Sequence, residues 1–222
     1  IMPYIYNSTV LGASTPDSTA AIPLCPVNRY MRPWGSDLGV STQSANNSRH
    51  TVANHIEYVP FKPASDMTLD RFAIRYIAAN GTTDTWNYKV ALYTSTDGYP
   101  DAKITELGTI SIVPASTSPG ALELTGLSQA LTGNTLYWIA FGVTASGSTD
   151  QSLGLTPFVG LLNGDFANFR RRGMASPAAG VDGITWLEQV GSYSGTLPTS
   201  TTFASNTASG PLAIRPMIRR SA

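Results

Sequence analysis

From His50 onward, short runs of β-branched and aromatic residues recur between clusters of turn formers: Thr51 to Val59, Met67 to Ala78, Trp86 to Ser95 and Gly108 to Val113. In the second run, Phe72, Ile74 and Tyr76 alternate with Arg71, Ala73 and Arg75, the period of a strand with one buried and one wetter face. Leu136 to Val143 is apolar at almost every position, which predicts a strand covered on both faces and central in its sheet. Asn80-Gly81 and Asp97-Gly98 tolerate the left-handed backbone and mark tight connections. Phe158 to Leu162, Ile184 to Val190 and Leu212 to Ile218 are further strand candidates, and no segment holds the 3.6-residue period of an amphipathic helix for more than about two turns. Strands spaced by roughly ten residues predict an all-β fold, an antiparallel β-sandwich of jelly-roll type spanning residues 51–222. Residues 1–50 lack either periodicity and carry Pro16, Pro23, Pro26 and Pro33 among Ser, Thr and Asn, which predicts an extended N-terminal arm. Its apolar Tyr4, Ile5, Tyr6, Val10 and Leu11 have two possible destinations, the chain's own domain or a neighbouring subunit.

Composition narrows the function classes. Charged residues are 13% of the 222, against about a quarter in an average soluble domain, and 20 Gly with 15 Pro suit a fold of many turns. Lys plus Arg and Asp plus Glu are 14 each, so no long-range basic field draws the chain to nucleic acid or anionic lipid. The apolar runs are far shorter than the roughly 20 residues of a membrane helix, and no membrane insertion is expected. The opening Ile1-Met2-Pro3-Tyr4 has no cationic segment followed by an apolar one, so no signal peptide is expected either. One cysteine, Cys25, and two histidines, His50 and His55, exclude an intrachain disulfide and a Cys- or His-rich metal centre within the chain.

Candidate chemistry is sparse. A hydrolase triad lacks a Gly-x-Ser-x-Gly elbow, and no glycine-rich phosphate cradle is present. Asp66, Asp70, Glu106 and Glu123 are the carboxylates to weigh as a glycosidase pair, against the alternative that they cap turns or pair with arginines, Asp70 with Arg71 or Arg75. Asp97, Asp101 or Asp150 offer hard oxygen ligands for calcium, yet turn chemistry explains Asp97-Gly98 equally well; no metal and no cofactor is expected. Trp34, Trp86, Tyr88, Tyr99, Trp186 and Tyr193 stand beside small or polar residues, and Trp34, Trp86, Tyr99 and Trp186 are the candidates for stacking on a sugar face, with core packing the competing role for each. Tyr137 and Trp138 belong to the core. Arg170, Arg171 and Arg172, with Arg219 and Arg220, form the basic clusters, suited to contact with a neighbouring subunit, to a solvated loop or to an acidic ligand. The sequons at Asn7, Asn46 and Asn80 match a pattern frequent by chance in Ser/Thr-rich sequence.

Tyr58-Val59-Pro60-Phe61-Lys62-Pro63, Thr68-Leu69-Asp70-Arg71-Phe72-Ala73-Ile74 and Val90-Ala91-Leu92-Tyr93 leading to Asp97-Gly98-Tyr99-Pro100 are followed by Gly108-Thr109-Ile110, Ser128-Gln129-Ala130-Leu131 and Leu136-Tyr137-Trp138-Ile139-Ala140. With Leu197-Pro198 and Pro211-Leu212-Ala213-Ile214-Arg215, this order over about residues 55–218 resembles domains of tailed-bacteriophage virion proteins. The resemblance implies a jelly-roll-like β-sandwich of the virion exterior, in a fibre, tail or head-decoration component, and it implies no catalytic residue. The expectation is therefore a non-enzymatic virion protein that assembles with itself, as a homotrimer, and with other virion proteins, and that meets a host-surface glycan. Similar sandwiches serve as free carbohydrate-binding modules, the alternative reading.

Overall fold

A computed structural model of the chain describes residues 27–31, 49–50, 54–80, 84–146, 152–155, 157–159, 187–189, 193–201, 212–214 and 216–221. Among them the strands are β1 (Tyr30–Met31), β2 (Arg49–His50), β3 (His55–Phe61), β4 (Met67–Asn80), β5 (Trp86–Thr96), β6 (Tyr99–Ile112) and β7 (Gly120–Leu124). There follow β8 (Gln129–Leu131), β9 (Tyr137–Ala145), β10 (Ser152–Leu155), β11 (Pro157–Val159), β12 (Leu187–Gln189), β13 (Leu212–Ile214) and β14 (Met217–Arg220). The described part is all-β and every pairing in it is antiparallel, as the alternating pattern predicts.

One sheet follows the path β1-β14-β4-β10-β2 with β7 and β8 also on β4; another runs β12-β3-β9-β5-β6; β11 and β13 pair with each other. A strand residue has only two hydrogen-bonding edges, and Leu69 of β4 faces both Arg220 and Gln129 while Tyr76 faces both Leu155 and Gly120. So β14 and β10 lie end to end along one edge of β4, and β8 and β7 along the other. Arg219 stands opposite Arg71 and Arg220 opposite Leu69, which leaves Asp70 as the extra residue of a β-bulge. The bulge shifts the alternation by one: Met67 and Leu69 before it, and Phe72, Ile74 and Tyr76 after it, are all buried.

The main core lies between these two sheets. Leu69, Phe72, Ile74 and Tyr76 of β4 and Ile218 of β14 meet Trp86, Tyr88, Val90 and Leu92 of β5 and Tyr137, Ile139, Phe141 and Val143 of β9. Phe72 and Phe141 touch across the gap with ring centroids 5.7 Å apart. The intervening positions of the five-stranded sheet, Ile56, Tyr58, Ala91, Tyr93, Trp138 and Ala140, form a second apolar cluster on its opposite face. This is why β9 reads as apolar throughout: it is the middle strand of a sheet covered on both sides.

The second cover is an irregular segment, Tyr193 to Thr201, that straps across the sheet, with Tyr193 and Leu197 packed into the cluster. A Cβ on Gly142 would overlap the Tyr193 ring, so glycine there admits the ring against the backbone of β9. The Tyr93 hydroxyl donates to the Pro198 carbonyl at 2.5 Å, Lys103 Nζ to the Leu197 carbonyl at 3.0 Å, and Lys89 Nζ to the Gly195 carbonyl at 3.3 Å. Main-chain bonds from Lys103 N to Thr199 O (2.8 Å) and from Thr201 N to Asp101 O (3.0 Å) tie the strap to β6.

Several sequence expectations change. The strand expected from Gly108 begins instead at Tyr99, because β5 and β6 form one long hairpin closed by Asp97 and Gly98, whose positive φ values of 52° and 80° suit a two-residue turn. Register shifts opposite Val90/Ala91 and Leu92/Tyr93 break its alternation. The run Leu212 to Ile218 divides into β13 and β14, with Pro216, which has no N–H to donate, ahead of β14. In the stretch expected as an arm, β1 pairs with β14, Asn28 N donates to Arg220 O at 3.0 Å, and β2 pairs with β10. These parts of residues 1–50 are built into the sheet; the others lie outside the described residues.

Candidate functional site

The candidates for sugar stacking divide sharply. Trp86, at 0% exposure, is part of the main core between Ile112 and Ala145 and offers no face to a ligand, which corrects its expected role. The physical reason is phase: Trp86, Tyr88, Val90 and Leu92 share one face of β5, and that face turns inward. Tyr88 and Tyr193 are buried as well. Tyr99 is exposed, at 38%, beside the hairpin turn. Trp34 and Trp186, and the arginines Arg170, Arg171 and Arg172, lie outside the described residues. Tyr137 and Trp138 are buried as expected, and the Trp138 indole donates to Ser95 Oγ at 3.2 Å.

The four carboxylates weighed as a catalytic pair are each held separately. Asp70, thrown outward by its bulge, accepts from Arg219 Nε at 3.0 Å and from Nη2 at 2.5 Å, a two-pronged contact, so its partner is Arg219 rather than Arg71 or Arg75. Those hydrogen bonds, opposed by partial burial and aided by the charges of Arg219 and Arg71, hold the Asp70 carboxyl below its ordinary pKa. Glu123 of β7 takes Arg71 at 3.1 Å. Glu106 takes Lys103 at 2.9 Å and Lys89 at 3.3 Å, the two lysines that also reach the strap carbonyls, and hydrogen bonding to Lys103 comes first in keeping its pKa low. Asp66 accepts from Gly133 N at 2.7 Å. Asp70 and Glu106, with their pKa values lowered in this way, are poorly suited to donate a proton. Asp101 accepts from Thr96 Oγ1 at 2.8 Å and Asp97 forms the turn, while Asp150 lies outside the described residues; among those residues no three His, Cys, Asp or Glu side chains gather as a metal site would need.

A groove of about 400 Å³ opens where the start of β4, β8 and the end of β14 converge. Met67 and Leu131 face each other across paired strands, Thr68 sits opposite Ala130, and Ser221 N donates to Thr68 O at 3.0 Å. One wall is the junction of residues 63–66 with 132–134. There Gly133 N is held by Asp66, Asn134 N donates to Pro63 O at 2.7 Å, and Thr132 N donates to the Tyr137 hydroxyl at 2.9 Å. Gly133 is packed so closely that a Cβ would lie 2.5 Å from the Ser65 backbone. The opposite wall carries Arg220. Sequence reasoning weighed Asp66 as an acid and Arg220 as a basic pair with Arg219, and missed that a strand end brings the two to one groove, a long-range juxtaposition no local pattern encodes.

No family model matches the chain, and no curated protein and no solved structure matches it.

Proposed function

We propose that the chain is a non-catalytic structural component of a tailed-phage virion, a fibre, tail or head-decoration protein that assembles as a homotrimer with other virion proteins and adheres to the host surface. The observation that carries this reading is where the virion-like motifs fall. Thr68-Leu69-Asp70-Arg71 opens β4 and supplies its bulge, Leu92-Tyr93 with Asp97-Gly98-Tyr99-Pro100 makes the β5–β6 hairpin, and Tyr137-Trp138-Ile139-Ala140 is the central strand β9. The residues similar to virion proteins are thus the frame of the two sheets, and successive strands cross between the sheets at β3–β4, β4–β5, β6–β7, β8–β9 and β9–β10, in keeping with jelly-roll winding. The ion-paired carboxylates support a structural role over a catalytic one. Closed cyclic assembly lets such a domain cover apolar surface and multiply weak surface contacts.

Light scattering on the full chain and on a variant starting at Val27 tests the assembly. The truncation stops there because Asn28, Tyr30 and Met31 bond to β14 and its end. A mass of three chains is expected for the full chain. A monomer at high concentration overturns the trimer and favours the alternative, a free carbohydrate-binding module, to which exposed Tyr99 lends support.

A further inference from the structure

We infer that the groove between the start of β4, β8 and the end of β14 is a binding site for a neutral saccharide, with Asp66 accepting from sugar hydroxyls and Arg220 donating to them. The inference names a ligand for the adhesive part of the function above and rests on that reading only for its biological setting; the groove itself stands on its own geometry.

Three observations carry it. The wall that presents Asp66 is fixed before any ligand arrives: Gly133 N holds Oδ1, and the tight Gly133–Ser65 packing and the Thr132 to Tyr137 bond leave that wall little freedom. Such preorganisation lowers the entropy cost of binding. Arg220 is the second. Its neighbours Arg71 and Arg219 are committed to Glu123 and Asp70, whereas the Arg220 side chain has no ion pair or hydrogen bond among the described residues, and it lines the groove. A fork of guanidinium donors facing a cleft is a cost unless water or a ligand accepts from it. The third is balance. One carboxylate and one guanidinium, with the hydroxyl-bearing Thr68 and Thr132 and the exposed methyl of Ala130 between them, match a molecule that donates, accepts and carries C–H faces at once. A phosphate or uronate would set its charge against Asp66, and an ammonium its charge against Arg220. The volume of about 400 Å³ lies at the small end of ligand clefts, which run to about 300–1,000 Å³, and suits one or two sugar rings rather than a long chain.

The test is saturation-transfer NMR on the full chain with the methyl glycosides of glucose, galactose, mannose, rhamnose and N-acetylglucosamine at millimolar concentration, repeated with Asp66→Asn and Arg220→Gln. Asn keeps an oxygen for Gly133 N, and Arg220 has no ion pair to lose among the described residues, so both variants should melt with the parent. Transfer to at least one glycoside is expected, weakened about fivefold or more in each variant, the scale of one charge-assisted hydrogen bond. Absence of transfer to all five, or equal transfer in the parent and in Arg220→Gln, overturns the inference. So does inorganic phosphate binding at the groove while the glycosides do not. Should Asp66→Asn melt early, Arg220→Gln alone decides. None of these outcomes bears on the mass of the assembly, so a failed sugar site and a failed virion reading remain distinguishable.

Discussion

The Trp86 indole stands wholly inside the core with its Nε1 lacking a hydrogen-bond partner among the described residues, an arrangement that couples a large apolar gain to a buried polar cost. Trp86→Ala should therefore lose about 3–5 kcal/mol in denaturant melts. Trp86→Phe should lose less than half of that, because it also removes an unmatched donor whose burial costs about 1–3 kcal/mol. The polar neighbours Thr85 and Asn87 made this tryptophan look exposed, whereas the alternation Trp86, Tyr88, Val90, Leu92 was the signal pointing inward. Asp70 was legible as a partner of arginine, but not of Arg219, which lies 149 positions away and meets it only because a bulge redirects the side chain. The pKa of Asp70 is depressed on folding, as is that of Glu106, so the stability each contributes is present above the ordinary carboxylate pKa and is lost as pH falls through the folded value. Thermal midpoints should fall below about pH 4, and Asp70→Asn should flatten that decline.

Among elements, the strap of residues 193–201 was invisible in sequence because carbonyl acceptors rather than a periodic apolar pattern hold much of it. Its two anchors, Tyr193 and Leu197, stand among Gly, Ser, Thr and Pro without strand periodicity; the sequence marked Tyr193 only as an aromatic to weigh and Leu197-Pro198 only as part of the virion-like order. Leu197→Ala should cost about 2–3 kcal/mol, and Gly142→Ala should cost about 1–3 kcal/mol by driving the Tyr193 ring off β9. Either change should raise the hydrogen exchange of Lys103 N and Thr201 N, the amides that bond the strap to β6, without opening the β3–β9 pairing. Burial pushes the Tyr193 hydroxyl up to about 12, and raises those of Tyr58 and Tyr93 further. A phenol whose pKa is raised on folding contributes its stability below the unfolded value and loses it as pH rises through the folded one, so an alkaline titration should loosen the strap from about pH 10 upward. The hairpin β5–β6 was legible from Asp97-Gly98, yet the reach of β6 back to Tyr99 was not, because its bulges scramble the two-residue period on which strand recognition rests.

For the molecule as a whole, antiparallel all-β architecture and the central place of β9 followed from short β-rich runs and an apolar stretch too long for a one-sided strand. The partition of strands between sheets did not, since pairing joins segments far apart in sequence: β14 to β4, β12 to β3 and β1 to β14. The groove shares that origin, its two charged walls being contributed by the start of β4 and the end of the chain. The proposed assembly role asks for a rigid frame more than a reactive cleft, and here Asp70, Glu106 and Glu123 serve ion pairs on that frame. The most direct test of the proposed virion role is gold-labelled antibody, raised against the purified chain, on phage particles purified from a culture that produces the chain, viewed by electron microscopy. Labelling at a fixed position on the particles, at copy numbers in multiples of three, is the result the account predicts; unlabelled particles, with the antigen found only in the soluble fraction of the lysate, would contradict it.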